Sequence, residues 1–527
     1  MKLLTHPVVT ALGLTYLCLI GLAGSLVSPA HTRIYHLSGS ASALFVPVIL
    51  QFLLLWLLLT GLLLFVSRHP RIRVVFWSAI LFFGPWVLFR NYMKLTLENV
   101  PNWANLLVLG LSLTGFLVFL CSWRPSFRAW FERLQGFLTV LFGFASLTGV
   151  LLLGQLLWFN WQARSLNVPL PLHQRSSPRA TAKPRVLWVL MDELSYQQVY
   201  ERRFPGLNLP AFDRLASDSS VFTHVVPAGN FTEVVIPSIM MGSPADQIRS
   251  SSDGRELTLH NPVTGTSQVF DPHQTIFQDA LERGYSTAIV GWFNPYCRTL
   301  HEVLDRCVWT SYVRVAKSID AHQSLAENLL APMKRLVTSV PSLLHPELST
   351  NPLDIVEARH IVANFQLLSS EADETVADPR ADFLFLHMPI PHGPGIYDRR
   401  HATLTISKTS SYIDNLALTD GFIAHLRSTL EEQGQWDSSA IIIMGDHSWR
   451  TNFQTFRDNW TPEDQVASHG GEFDDRPAYI VKMPYQKTPA HIDSHFPAIR
   501  TRALLDGIID GQLKTADDLA AWAAVQR

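Results

Sequence analysis

The 527-residue sequence predicts a two-part chain. Residues 1–160 read as an α-helical transmembrane bundle of five spans, 161–184 as a linker, and 185–527 as an α/β domain with a largely parallel sheet covered by helices. Three observations predict this division. Apolar residues crowd into long stretches before residue 160. Hydrophobic residues make up 47% of the chain and charged ones 16%, a smaller charged share than soluble proteins usually carry. After residue 185 the pattern changes to short apolar runs that alternate with amphipathic stretches.

The apolar stretches cover residues 8–28, 43–66, 73–90, 102–122 and 135–160. Each approaches or exceeds the ~20 residues that cross a hydrocarbon core. The first is read as a retained helix, because further spans follow and no small-residue cleavage site stands out. Arg68, Arg71 and Arg73 follow the second stretch, and Arg124, Arg128 and Arg133 the fourth. The remaining loops are poorer, with Arg33 in one and Arg90 and Lys94 in the other. Basic loops stay cytoplasmic, so Lys2 lies inside and an odd number of spans places the α/β domain outside. Charge is nearly absent within the spans, which excludes an ion pathway and leaves an anchor. A second reading has the spans also hold a lipid substrate, with Trp103, Trp123 and Trp158 near the interfaces. Residues 161–184, rich in Pro, Ser and Arg, form the linker.

A formal net charge of -2 offers no basic surface for nucleic acid. Cys18 and Cys121 lie in apolar runs, whereas Cys297 and Cys307 sit close together in the polar half. In an oxidising compartment that pair could form a disulfide; otherwise they are two small buried residues.

In the second half, 186–191 (VLWVLM), 286–290 (STAIV), 383–386 (FLFL) and 440–444 (AIIIM) read as buried strands, with helices over 274–283 and 412–430. Ligands gather at the carboxyl ends of such strands, so residues just beyond them carry the functional information. Asp192 and Glu193 follow the first strand and offer hard oxygen ligands, or else a turn or helix cap. Asp446 and His447, in IIIMGDHSWR, set a carboxylate beside an imidazole, a mix that zinc and manganese accept. Thr232, in GNFTEVVIPSIMMG, precedes an apolar helical stretch; it is either a simple N-cap or a hydroxyl placed where a helix start favours an anion. His387 and His392 occupy the proline-stiffened FLHMPIPHGPGIYD, and His469 the glycine-rich SHGGEFDDRPAYIVKMP.

Taken in this order, the acidic strand end, the threonine ahead of Pro-Ser, His-Gly-Pro, Gly-Asp-His and His-Gly resemble the alkaline phosphatase superfamily over residues 185–485. The resemblance is to its membrane-bound sulfatase-like branch, which holds phosphoethanolamine transferases, phosphoglycerol transferases and lipoteichoic acid synthases. It implies one divalent metal held by Glu193, Thr232, Asp446 and His447, with Asp192 as an extra ligand. Zinc is the first expectation for that metal, with manganese or calcium as alternatives. Thr232 would be the nucleophile, while His392 and His469 would contact the transferred group or hold a second metal, and His387, less closely matched, would contact the group. Asn415 and Asp420, in YIDNLALTD, match a structural helix.

The resemblance further implies a bacterial inner-membrane protein with a periplasmic catalytic domain. It would move a head group from a membrane phospholipid to an envelope lipid or glycan. A hydrolase of the same fold and a non-catalytic lipid-binding regulator are the alternatives. Residues 229–242 hold no Cys-x-Pro-x-Arg arrangement, or its serine form, so sulfatase chemistry through a modified residue is disfavoured. Only one cysteine pair is present where lipid A transferases carry several.

Overall fold

The computed structural model describes residues 4–24, 26–27, 35–96, 102–121, 125–174, 183–251, 254–311, 314–315, 319–320, 323–330, 352–455 and 460–526. The chain divides into two compact units: residues 1–34, 39–167 and 313–350 form one, and 35–38, 168–312 and 351–527 the other.

In the first unit each predicted apolar stretch falls wholly or mostly in a helix: Pro7–Gly24, Ala41–Arg68, Pro70–Thr96, Asn102–Cys121 and Pro125–Gln162. The expectation of five spans is nevertheless corrected to two. Among the described residues only Ala41–Arg68 and Arg128–Leu166 are long and apolar enough to cross a membrane. The fully described apolar parts of the first and fourth helices are Pro7–Ile20 and Leu107–Phe119, and Pro70–Thr96 carries Arg71, Arg73, Arg90 and Lys94. Leu54, Leu57 and Leu58 stand exposed along Ala41–Arg68, an apolar face of the kind that lipid covers. Ala11, Leu14, Leu63, Trp77, Phe131 and Phe142 pack together inside the unit. Arg33, Trp123 and Arg124, and the side chains of Arg90, Lys94, Trp103 and Cys121, lie outside the described residues.

The second unit is built on an eight-stranded sheet of Val186–Asp192 (β1), Ser220–Phe222 (β2), Thr287–Trp292 (β3), Arg306–Thr310 (β4), Phe383–Pro391 (β5), Ala440–Gly445 (β6), Tyr479–Lys482 (β7) and Ala490–Ile492 (β8). Their order is β8-β2-β7-β6-β1-β5-β3-β4. Pairings are parallel except those of β7 with β6 and β2, which gives the mostly parallel α/β domain that the alternating runs predict. β1 lies in the middle, with Val189 opposite both Leu386 and Ile443. Because both faces are covered, the strands read as continuous apolar runs. Trp188 and Leu190 join one core with Phe385 and Ile442, under the helices Thr232–Met241, Ile276–Glu282 and Thr501–Ile509. Leu187, Val189 and Met191 join the other with Leu386 and Ile443, under Pro210–Ser217, Pro352–Ala377 and Tyr412–Glu432.

Two features of this unit depart from the predicted division. Residues 35–38 belong to it, although they come from the loop after the first helix: Arg298 donates to the carbonyls of Tyr35 at 3.0 Å and Leu37 at 2.8 Å, and the Ser311 amide donates to Ser38 Oγ at 3.1 Å. Part of the expected linker is also held rather than loose. The His173 amide donates to Leu304 O at 2.9 Å, and His173 Nδ1 lies 2.8 Å from Asp305 Oδ1. Residues 175–182 of that linker lie outside the described residues. Cys297 and Cys307 form a disulfide, with their Cα atoms 5.5 Å apart.

Candidate active site

β1 and β6 run side by side in parallel, with Met191 opposite Gly445. That register brings the next residues of each strand, Asp192 and Asp446, to the same end of the sheet. Gly445 suits the junction because a Cβ there would lie 2.6 Å from the carbonyl of Leu194. Thr232 arrives from outside the sheet as the first residue of Thr232–Met241. Its Oγ1 donates to Asp446 Oδ2 at 2.7 Å and lies 3.4 Å from His447 Nε2. His447 Nε2 is 3.2 Å from Asp446 Oδ2 and 3.8 Å from Asp192 Oδ1. All four side chains are buried.

Asp192, Asp446 and His447 each present a ligand atom within 4.8 Å of the others, a candidate metal site. The donor set fits a divalent cation. Asp192 Oδ1 is buried without a hydrogen-bond partner. Burial first, and then the Asp446 and Glu193 carboxylates, push the Asp192 pKa well above its usual range. A cation at this place removes both penalties. Two carboxylates, an imidazole and a hydroxyl suit zinc or manganese.

Glu193 stands apart from that trio. At φ 65° its backbone is left-handed, and its carboxylate meets Arg450 and Gln454: Arg450 Nε donates to Oε1 at 2.7 Å and Gln454 Nε2 donates to Oε2. Burial acts to raise its pKa, but His392, Arg450 and His447 outweigh burial and hold it at about 2. Thus the structure exchanges the expected order of the acidic pair: Asp192 joins the cluster and Glu193 is an ion-pair partner. The Glu193 amide still reaches the site, donating to Asp446 Oδ1 at 3.1 Å.

The histidines divide in the same way. His392 Nε2 lies 3.2 Å from Arg450 Nη2, at the edge of the cluster. His387 is buried with Nδ1 2.7 Å from the Tyr296 hydroxyl and has no hydrogen bond to Thr232, Asp446 or His447 among the described contacts. Burial pulls its pKa down to about 4, so it is neutral near pH 7. His469 is exposed at φ 51° in the turn after Pro462–Ala467, and no described contact joins it to the cluster.

Asn415 and Asp420 are structural. Asn415 Nδ2 donates to His392 O at 2.9 Å and Pro394 O at 3.1 Å, while its Oδ1 accepts from the Ile396 amide at 2.8 Å. Asp420 accepts from the amides of Ala211 and Phe212 at 3.2 and 2.9 Å, at the start of Pro210–Ser217. Asn415→Ala would leave the buried amide and carbonyls of the His392 loop unpaired. The expected loss is about 1–3 kcal/mol of unfolding free energy, read from a denaturant midpoint.

Sequence reading did not single out Arg450, Gln454, Tyr412 or Asn294. Tyr412 OH donates to Glu193 O at 2.7 Å and its ring stacks on Trp449 at 4.2 Å. Asn294 Nδ2 lies 3.5 Å from Thr232 O. Arg450 alone carried a signal, as the cation three residues beyond His447 in GDHSWR.

A family model described as Sulfatase matches residues 184–485. Comparison with curated protein sequences finds no match. Similar solved structures include a phosphonate monoester hydrolase of Agrobacterium radiobacter, 13% identical, covering 62% of this chain and 74% of that one at a TM-score of 0.38. Another is a sulfatase of a Pseudoalteromonas species, 14% identical, covering 63% and 69% at 0.40. A third, a protein in the alkaline phosphatase superfamily from Vibrio parahaemolyticus, is 15% identical and covers 64% and 68% at 0.35.

Proposed function

Since the chain belongs to the sulfatase family and is an enzyme of the alkaline phosphatase superfamily, we propose that it transfers a phospholipid-derived head group through a covalent phosphothreonine at Thr232. The head group is of phosphoethanolamine or phosphoglycerol type, and the acceptor is a cell-envelope lipid or glycan. The observation that carries this reading is the Thr232 hydroxyl, held at 2.7 Å on Asp446 Oδ2 and beside His447 and Asp192.

A divalent cation, zinc before manganese or calcium, would be held by Asp192, Asp446, His447 and Thr232 and would acidify the hydroxyl. In the first step Thr232 Oγ1 bonds to phosphorus, the bond to the lipid oxygen breaks, and the hydroxyl proton passes to Asp446 Oδ2. The leaving lipid alkoxide takes a proton from solvent. In the second step the acceptor hydroxyl gives its proton to solvent as its oxygen bonds to phosphorus, the Oγ1–phosphorus bond breaks, and Oγ1 takes back the proton held on Asp446 Oδ2. Asp446 orients the hydroxyl throughout, and the Glu193 amide holds Asp446 in place.

Ala41–Arg68 and Arg128–Leu166 would anchor the protein in a bacterial inner membrane, with Arg68, Arg71, Arg73, Arg124, Arg128 and Arg133 on the cytoplasmic side. The Cys297–Cys307 disulfide favours an oxidising, extracytoplasmic compartment for the catalytic unit. The family itself equally supports a hydrolase that passes the group to water.

Incubating the zinc-loaded protein with phosphatidylethanolamine or phosphatidylglycerol and an envelope extract separates the two. Transfer yields diacylglycerol together with a head-group-modified envelope component. Diacylglycerol with only free head-group phosphate marks a hydrolase, and no diacylglycerol from either lipid removes the phospholipid donor.

A further inference from the structure

Arg450 joins three separate segments of the site, and none of the steps above uses it. Its Nε donates to Glu193 Oε1 at 2.7 Å, its Nη1 to the carbonyl of Asn230 at 3.2 Å, and its Nη2 lies 3.2 Å from His392 Nε2. Asn230 is two residues ahead of Thr232, so this cation sits on the nucleophile's own loop. Only 16% of the side chain is exposed. A guanidinium carries five N–H donors and accepts nothing. Three of them are engaged by those contacts, which leaves one on each terminal nitrogen. The contact with His392 also has a consequence for that residue. Because Arg450 can only donate, the hydrogen bond needs the imidazole lone pair on Nε2, and that nitrogen cannot at once donate to a substrate oxygen.

Charge balance points the same way. Asp192, Glu193 and Asp446 bring three negative charges to the site, and a divalent cation offsets two. One negative charge remains to repel an anionic ester, and Arg450 cancels it.

We propose that Arg450, rather than His392, grips the non-bridging oxygens of the transferred phosphoryl group. Glu193 is its positioning residue: it fixes Nε through one carboxylate oxygen and is itself held by Gln454 through the other. One further N–H on each terminal nitrogen of a planar fork can reach two oxygens of a tetrahedral phosphoryl group. The inference rests on Thr232 as the attacking group, which is what brings phosphorus to this loop.

The test uses the full-length, zinc-loaded protein in detergent micelles with inorganic phosphate as the probe. Phosphate affinity is read by calorimetry and zinc content by mass spectrometry. Arg450→Gln is expected to keep its zinc and to lose phosphate affinity by roughly 10- to 100-fold. Arg450→Lys is expected to lose less, because the charge stays while the fork goes. Unchanged phosphate affinity in a zinc-replete Arg450→Gln protein overturns the proposal. So does loss of zinc along with phosphate, which would mark Arg450 as merely structural. If Arg450→Gln fails to fold because Glu193 is left unpaired, the double variant E193Q/R450Q removes that charge; the same loss supports the proposal and retained affinity overturns it. Phosphate binding through Arg450 without phosphorylation of Thr232 by phospholipid would sink the group-transfer reading and leave this one standing.

Discussion

Thr232→Ala is expected to lower turnover roughly 10⁴-fold or more, and no covalent phosphate should form anywhere in the variant. The size of the effect follows from what is removed. The only hydroxyl described in hydrogen-bond contact with the Asp446 and His447 side chains is Thr232 Oγ1, at 2.7 and 3.4 Å. Binding groups such as Arg450 and the cation cluster remain in the variant, so substrate affinity should fall far less than turnover. Thr232→Ser supplies the contrast. It returns a hydroxyl to the same first position of Thr232–Met241 and should recover both adduct and turnover in part. Intact-mass measurement after mixing with phospholipid, alongside the rate of diacylglycerol release, checks all three proteins. Equal turnover in wild type and Thr232→Ala would end the covalent route.

The second large effect is expected at Asp446. Its carboxylate accepts from Thr232 Oγ1 and from the Glu193 amide, and lies 3.2 Å from His447 Nε2. Asp446→Asn keeps the shape and removes the charge. Zinc affinity is expected to fall by about 100-fold or more, since removing even an outer partner of a metal ligand costs 10- to 100-fold. The stabilisation that zinc gives wild type, about 2.7 kcal/mol at a free concentration near 100 times Kd, should then largely vanish. In the metal-free protein the sign reverses. Burial and the Asp446 carboxylate both press on Asp192, so neutralising Asp446 relieves a repulsion and should leave the apo protein as stable as wild type or more so. Thermal unfolding with and without zinc reads both halves. A normal zinc-induced rise in Tm in Asp446→Asn would show that the cation binds elsewhere.

Much of the catalytic fold was legible because strands buried on both faces leave continuous apolar runs. The four predicted runs are the neighbouring strands β6, β1, β5 and β3. Motifs placed after those strands therefore arrived at one end of the sheet. What brings Asp192 beside Asp446 is the parallel register of β1 on β6, which no spacing along the chain encodes. The resemblance supplied the pairing instead.

Side-chain direction was not legible. Asp192 and Glu193 are adjacent in sequence, yet the left-handed turn at Glu193 sends its carboxylate to Arg450 while Asp192 joins His447. Arg450 was overlooked for a related reason: its partners, Glu193, Asn230 and His392, come from three distant loops. His469 sits in a motif that resembles a site loop, but it is exposed there and no described contact brings it to the cluster. In the first unit, helix formation followed from apolarity, and among the described residues two helices stand as candidate spans.

A crystal structure of the zinc-loaded protein, with anomalous scattering recorded at the zinc edge, bears most directly on whether Thr232 shares one cation with the acidic strand ends. The expected result is a single strong peak about 2.0–2.2 Å from His447 Nε2 and from oxygens of Asp192, Asp446 and Thr232. A peak that leaves Thr232 Oγ1 outside coordination distance, or no peak among these residues, would contradict it.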